Sequence, residues 1–357
     1  MTAPMATETD RTPSGSFVES DGRELYQIER VDAIEPFLMT VVSDTDLWLF
    51  MSSAGAFTAG RVQADRSLFP YETDDRLHEL AGHAGPVTAV RFEDGRLWRP
   101  LRGPDAGPHA TRTLRRSPVG DLVEFEETDG PTGLTFRVEL TLSDRFGVVR
   151  RCSMSAPNDD AAIAFEMIDG YVNIMPAGVP LGLQQTMSTL VDAYKRSEPI
   201  GDLGLAVYTL ESKITDKPEA IEALRANAVW RTGLADASLC LDGRALRSFE
   251  RGGSDAAGAV ANDAPVLGRR GAYLCRTSLR LEPGDHARWR ILADAHLDHA
   301  AIAQLERLLR TEPDLNGLTD RSVDNDLGRL GALLDAADGA QLTANVSACA
   351  SHRSNVL

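Results

Sequence analysis

Between Asp46 and His78 the chain sets Arg61, Asp65, Tyr71, Asp74 and Asp75 among Trp48, Phe57, Phe69 and Pro70, in a stretch punctuated by Gly55 and Gly60. Sugar sites use this mixture. A flat aromatic face takes the ring, and carboxylates and guanidinium groups take the hydroxyls in charge-assisted hydrogen bonds. These five residues are therefore the substrate-binding candidates. The alternative is a structural loop with buried aromatics, solvated acids and an arginine paired with one of them. Other constellations carry less. His296 and His299 stand at i and i+3 where a helix should start, but a metal site needs a third ligand and none is indicated. Neither a metal nor a cofactor is expected. Asp159 with Asp160, and Asp324 with Asp326, are acid pairs that read as caps and solvated faces. A glycosidase needs two carboxylates facing each other about 5–10 Å apart across a bond. His83 and His109 are loop candidates for proton transfer at an anomeric hydroxyl, with no paired Glu in view. Gly252-Gly253-Ser254-Asp255 lacks the context of a nucleotide loop, and Ser52-Ser53-Ala54-Gly55 is not a nucleophile elbow.

The elements that must position these residues are mostly strands. Pro36–Val42 and Leu47–Met51 flank a polar turn and read as a hairpin. Leu134, Phe136, Val138, Leu140 and Leu142 alternate with Thr135, Arg137, Glu139 and Thr141, which gives one buried face and one wet face. Tight turns join that strand to runs on either side, so the pairing is antiparallel. Further runs lie at Ala162–Ile168, Leu205–Leu210, Ala237–Leu241 and Ala272–Leu281. After Trp289 the spacing changes. His296–Arg310 carries apolar residues at helical spacing, and Val323, Leu327, Leu330 and Leu334 mark a second helix, with Gly339 as its cap. The expected fold is mainly β, a large antiparallel β-sandwich followed by C-terminal linker helices. Ala256–Asp263 is a weak boundary.

The chain has 357 residues, with 37 Lys and Arg against 53 Asp and Glu, a net charge of −16. That balance disfavours nucleic acid, which needs a basic footprint, and anionic lipid. Cys152, Cys240, Cys275 and Cys349 form no CxxC pair and are read as reduced thiols. The N-terminus has no basic and apolar leader, and no apolar run reaches the roughly 18–20 residues of a membrane span. The expected location is the cytoplasm.

Ser52-Ser53, Thr58-Ala59-Gly60-Arg61, Leu68-Phe69-Pro70-Tyr71 and Thr73-Asp74-Asp75 resemble the N-terminal region of bacterial proteins related to cellobiose phosphorylase. That group is glycoside hydrolase family 94, formerly placed with the glycosyltransferases. Ser143–Gly147, Asp169-Gly170, Ile174–Pro180, Val191–Lys195 and Arg270–Tyr273 extend the likeness. The resemblance implies a galactose-mutarotase-like supersandwich, then linker helices, then a helical barrel holding the catalytic Asp and the phosphate site. The chain ends near where that barrel would begin, so no catalytic residue carries over. A truncated gene product, a fragment and a stand-alone remnant all fit.

The expected organisation is a disordered stretch at 1–16, a carbohydrate-associated sandwich at 17–293, linker helices at 294–340 and the start of a barrel at 341–357. The first functional reading is a module that binds or frames an oligosaccharide, or that docks on a downstream catalytic barrel, and is inactive by itself. The competing readings are a structural or homo-oligomerising domain without ligand, and a mutarotase-like sugar epimerase.

Overall fold

The structure is a computed structural model that describes residues 12–102, 111–158, 161–212, 224–234, 236–252 and 264–336. Nineteen strands, six α-helices and two short 3-10 helices lie among the described residues. Eleven strands form one antiparallel sheet. Their order is β1 (Ser14–Ser20), β2 (Arg23–Glu29), β8 (Thr111–Arg116), β9 (Leu122–Thr128), β10 (Thr135–Ser143), β11 (Gly147–Ser155), β19 (His286–Asp298), β15 (Arg225–Thr232), β14 (Leu205–Leu210), β13 (Lys195–Ile200) and β17 (Val266–Leu267). Against it lie a five-stranded sheet and a three-stranded sheet. The former runs β16 (Ser238–Asp242), β18 (Gly271–Leu281), β12 (Ile163–Ile174), β6 (Gly85–Phe92) and β7 (Leu97–Trp98). The latter runs β3 (Leu38–Val41), β4 (Leu47–Ser52) and β5 (Phe57–Arg61). The mainly β antiparallel sandwich expected from the sequence is the architecture found.

The period of two in β10 builds this core. Leu134, Phe136, Val138, Leu140 and Leu142 are all buried against Phe165, Met167 and Tyr171 of the opposing sheet. Burying residues of this size contributes roughly 1.5–3 kcal/mol each. On the other face Arg137 and Glu139 are half-buried rather than free in water. Arg137 pairs with Glu124 and Asp21, and Glu139 pairs with Arg151. Helices explain the difference. α5 (His299–Thr311) and α6 (Leu315–Ala336) pack over this face, bringing Leu305 and Val323 onto Val149, Trp230 and Leu292. α4 (Arg244–Glu250) covers the outer face of the five-stranded sheet with Leu246 and Phe249.

One charge pair sits between the two main sheets. Asp169 of β12 accepts from Arg150 of β11 at 2.7 and 2.9 Å, from Thr88 Oγ1 at 2.7 Å and from Trp289 Nε1 at 2.7 Å. Both charged side chains are essentially inaccessible to solvent. The carboxylate is satisfied by four hydrogen bonds, which is what a buried charge requires. Close backbone approach recurs where β11 begins. Gly147 has φ +69°, and a Cβ there would meet the Ala293 carbonyl oxygen at 2.2 Å, so this turn admits only glycine without a shift.

Three sequence expectations need correction. β1 starts at Ser14 and pairs with β2, with Phe17 packed edge-on against Tyr26 at 5.0 Å, so the tail expected to be disordered is already strand at Ser14–Ser16; residues 1–11 lie outside the described residues. β19 runs through Asp298, and α5 starts at His299 rather than at His296. Asp298 caps it by accepting from the Ala301 N–H at 2.9 Å. His296 sits instead in a left-handed bulge at φ +63°. Asp326 is not on a solvated face: it is buried and accepts from the Asp144 N–H at 2.7 Å, tying α6 to the β10–β11 turn. Asp159-Asp160, His109, Ala256–Asp263, Gly339, Cys349 and the segment 341–357 lie outside the described residues.

Candidate functional site

The loop after β5 is held by its apolar residues. Leu68 and Phe69 are fully buried. The Leu68 N–H donates to the Ala59 carbonyl at 2.7 Å, and its own carbonyl accepts from Met175 N at 2.8 Å. Phe69 packs against Phe57 and Tyr171 with ring centroids 5.2 and 5.3 Å apart. Asn227 locks the same region from behind. Its Nδ2 donates to the carbonyls of Ser67 and Met175, and its Oδ1 accepts from His296 N. From this anchored base Pro70 and Tyr71 emerge into a cleft of about 520 Å³, within the common range for small-ligand sites. The Tyr71 ring rests edge-on against Trp48 at 5.6 Å.

Three other segments complete the cleft. β12 ends in a bulge, where its pairing with β18 slips between Val172 and Ile174 and Asn173 adopts φ +57°. Bulges of this kind re-aim one side chain out of the ladder, and Asn173 lines the cleft. The short helices α2 (Leu181–Thr186) and α3 (Ser188–Ala193) supply Gln184, Gln185 and Asp192, and β13 supplies Lys195. Arg270, just before β18, closes the ring.

Asp192 is the electrostatic centre. It accepts from Lys195 Nζ at 2.8 Å and from Arg270 Nε at 3.0 Å. Partial burial pushes its carboxyl up, but the two cations outweigh that and hold it below the ordinary range. Burial pushes the Lys195 ammonium down, and Asp192 only partly offsets it while Arg270 adds repulsion. The side chains of Tyr71, Asn173 and Gln185, and both Nη groups of Arg270, make no hydrogen bond to other described residues. The cleft therefore offers an aromatic edge, two amides, a hydroxyl and a guanidinium fork to an incoming group.

The five candidates separate here. Tyr71 lines the cleft. Arg61 does not: its Nε donates to Asp294 at 2.7 Å, Nη1 to Asp46 at 2.6 Å and Nη2 to the Asp144 carbonyl at 2.6 Å, with only 15% of the side chain exposed. Those carboxylates raise its pKa against the opposing effect of burial. Asp65 accepts from the Leu181 N–H at 2.7 Å and so places α2, one wall of the cleft, without lining it. Asp75 is exposed on α1 (Asp74–Glu79), where a hydrogen bond from Thr73 at 2.6 Å lowers its pKa. The side chain of Asp74 lies outside the described residues. Asp192, Lys195 and Arg270 were not among the candidates, although the segments carrying them were part of the family resemblance. Nothing local marks them: the sheet topology brings them together. Among the described residues no group of three His, Cys, Asp or Glu is placed to hold a metal, and no helix is long and apolar enough to cross a membrane.

Comparison with known proteins adds the fold. The chain is similar in fold to a bacterial glucoamylase. The match to that enzyme, in its complex with acarbose, has a TM-score of 0.51 at 9% identity and covers 96% of this chain. The chain spans 43% of the glucoamylase's length. A protein described as an aldose 1-epimerase from Klebsiella pneumoniae subsp. pneumoniae matches at TM-score 0.40 and 10% identity, over 84% of this chain and 91% of its own. A protein described as a kojibiose phosphorylase from the human microbiome matches at 0.32 and 10% identity, over 76% and 28%. No family model matches the chain, and no curated protein matches it in sequence. At 9% identity the similarity to the glucoamylase concerns fold alone.

Proposed function

We propose that this chain is the carbohydrate-binding and framing module of a glycoside phosphorylase-like enzyme, and that the cleft beside Tyr71 holds the glycan. The observation that carries this reading is the cleft itself. A half-buried aromatic is braced on Trp48 at the cleft and faces polar groups that make no hydrogen bond to other described residues. Folding alone gives no reason to gather unpaired amides and a guanidinium around a tyrosine, whereas a sugar ring with hydroxyls on both edges uses all of them. The sandwich fold and the family resemblance support the same class of ligand. The module binds, and cleavage belongs to a catalytic barrel: the purified chain should release no glucose 1-phosphate from cellobiose and phosphate. Calorimetric titration of neutral and acidic oligosaccharides against wild type and Tyr71→Ala tests the reading. Binding by wild type that weakens in the variant, with an unchanged melting curve, is expected. Wild type that binds none of them would end the proposal.

A further inference from the structure

We propose that the glycan held in this cleft is anionic, carrying a carboxylate or phosphate that is gripped by the free end of Arg270 beside Lys195; this rests on the carbohydrate reading above. The charges around the cleft give the first reason. Arg76, Lys195 and Arg270 line it with Glu72 and Asp192, so its net formal charge is 3 − 2 = +1, in a chain whose total is −16. Glu72 and Arg76 face each other at 3.5 Å and cancel. The remaining carboxylate, Asp192, answers two cations at once. A positive excess in one cleft of a strongly acidic surface concentrates anions there.

The geometry of Arg270 is the second reason. Its Nε is spent on Asp192 at 3.0 Å, which sets the orientation of the guanidinium plane. Both Nη groups stay without a partner among the described residues, and 61% of the side chain is exposed. Two parallel N–H donors on a fixed plane match a carboxylate or phosphate edge better than a single sugar hydroxyl. Lys195 adds a further donor. Its ammonium is buried, with Asp192 at 2.8 Å and the Met175 sulfur at 3.7 Å. An ammonium has three N–H donors, so one is left over. An anion bridging Arg270 and Lys195 would fill all three vacancies, while Tyr71 and Asn173 take the ring that carries it.

Titration of four probes by calorimetry at low ionic strength decides it: cellobiose, its uronic counterpart cellobiouronic acid, glucose 6-phosphate and inorganic phosphate, each against wild type, Arg270→Gln and Tyr71→Ala. In wild type the two charged sugars should bind about tenfold or more tighter than cellobiose, and added salt should erode the difference. Arg270→Gln should abolish the preference, so that the charged sugars bind no tighter than cellobiose. Tyr71→Ala should weaken all three sugars. Should Arg270→Gln fold poorly, Arg270→Lys keeps the charge without the fork, and part of the preference should survive. Equal binding of cellobiose and cellobiouronic acid would overturn the anionic claim and leave the carbohydrate reading standing. Phosphate binding as tightly as glucose 6-phosphate would also overturn it, since the site would then read a bare anion. Failure of all four probes to bind would bring down the carbohydrate reading itself.

Discussion

Arg61 and Arg270 each meet an aspartate through Nε, at 2.7 and 3.0 Å, yet the two regions they organise are used differently. Around Arg61 every nitrogen of the guanidinium has an oxygen acceptor, and the side chain is mostly covered. The clamp fastens the β3–β5 hairpin to β19 and to the β10–β11 turn. Around Arg270 one nitrogen is anchored and two are left open at the surface. A guanidinium whose donors are all consumed holds a fold together, whereas one that is oriented by a carboxylate and still has donors is poised to recognise something. Residue type does not separate the two cases. The number of satisfied donors and the exposure do.

Perturbing each region in turn should expose the difference, and the largest effect belongs to the most buried pair. Asp169→Ala strands the Arg150 charge between the sheets and should cost about 3–5 kcal/mol; urea unfolding measures it, and near-native stability would refute the view that this pair closes the sandwich. Next comes Arg61→Ala, which leaves the buried Asp294 carboxylate without its main partner and should cost roughly 1–3 kcal/mol, with sugar binding unchanged.

Arg61→Ala also carries a pH signature. Burial pushes the Asp294 carboxyl up, and hydrogen bonding and charge from Arg61 offset only part of that. A raised folded value means that this group's contribution is full below the unfolded carboxyl range, about pH 4, and is lost as pH rises through the raised value. Without Arg61 the loss deepens. Urea midpoints of the variant should therefore fall more steeply than those of wild type as pH rises above about 4; parallel curves would contradict the assignment of Arg61 as the counterweight.

At the cleft the effect moves from stability to binding. Tyr71→Ala should weaken the bound glycan about tenfold, some 1.4 kcal/mol, and lower the melting temperature only slightly through the lost edge contact with Trp48. A large fall in stability with binding intact would make Tyr71 a strut like Arg61. The smallest effect is expected at Asp75. It touches only Thr73 and its own helix start, so Asp75→Ala should leave both the melting curve and the titration as they were.

The sequence was readable where structure is local. The alternation in β10 named its buried face, and the hairpin of β3 and β4 followed from two apolar runs and a turn. The short helices α2 and α3 were not visible, since six residues each with half-polar faces give no helical period. In the candidate loop the chemistry of Arg61, Asp65 and Tyr71 was alike on paper. Their roles depend on distant partners: Asp294 lies 233 positions from Arg61, and Leu181 lies 116 from Asp65. Tyr71 was chosen on the same mixture of aromatic and charged residues as the others, and only its place in the cleft sets it apart. Asp192 and Arg270 meet only because β13 pairs with β17 at the sheet edge, close to the start of β18, and no local spacing announces that.

The central claim is that the cleft beside Tyr71 is where this chain meets a glycan. A crystal structure of the chain soaked with cellobiouronic acid tests it most directly. The account predicts a pyranose ring against Tyr71, its carboxylate within hydrogen-bonding distance of both Nη atoms of Arg270, and the Arg61 clamp unchanged. A sugar bound instead on the outer face of the five-stranded sheet, with the Tyr71 cleft holding only water, would contradict it.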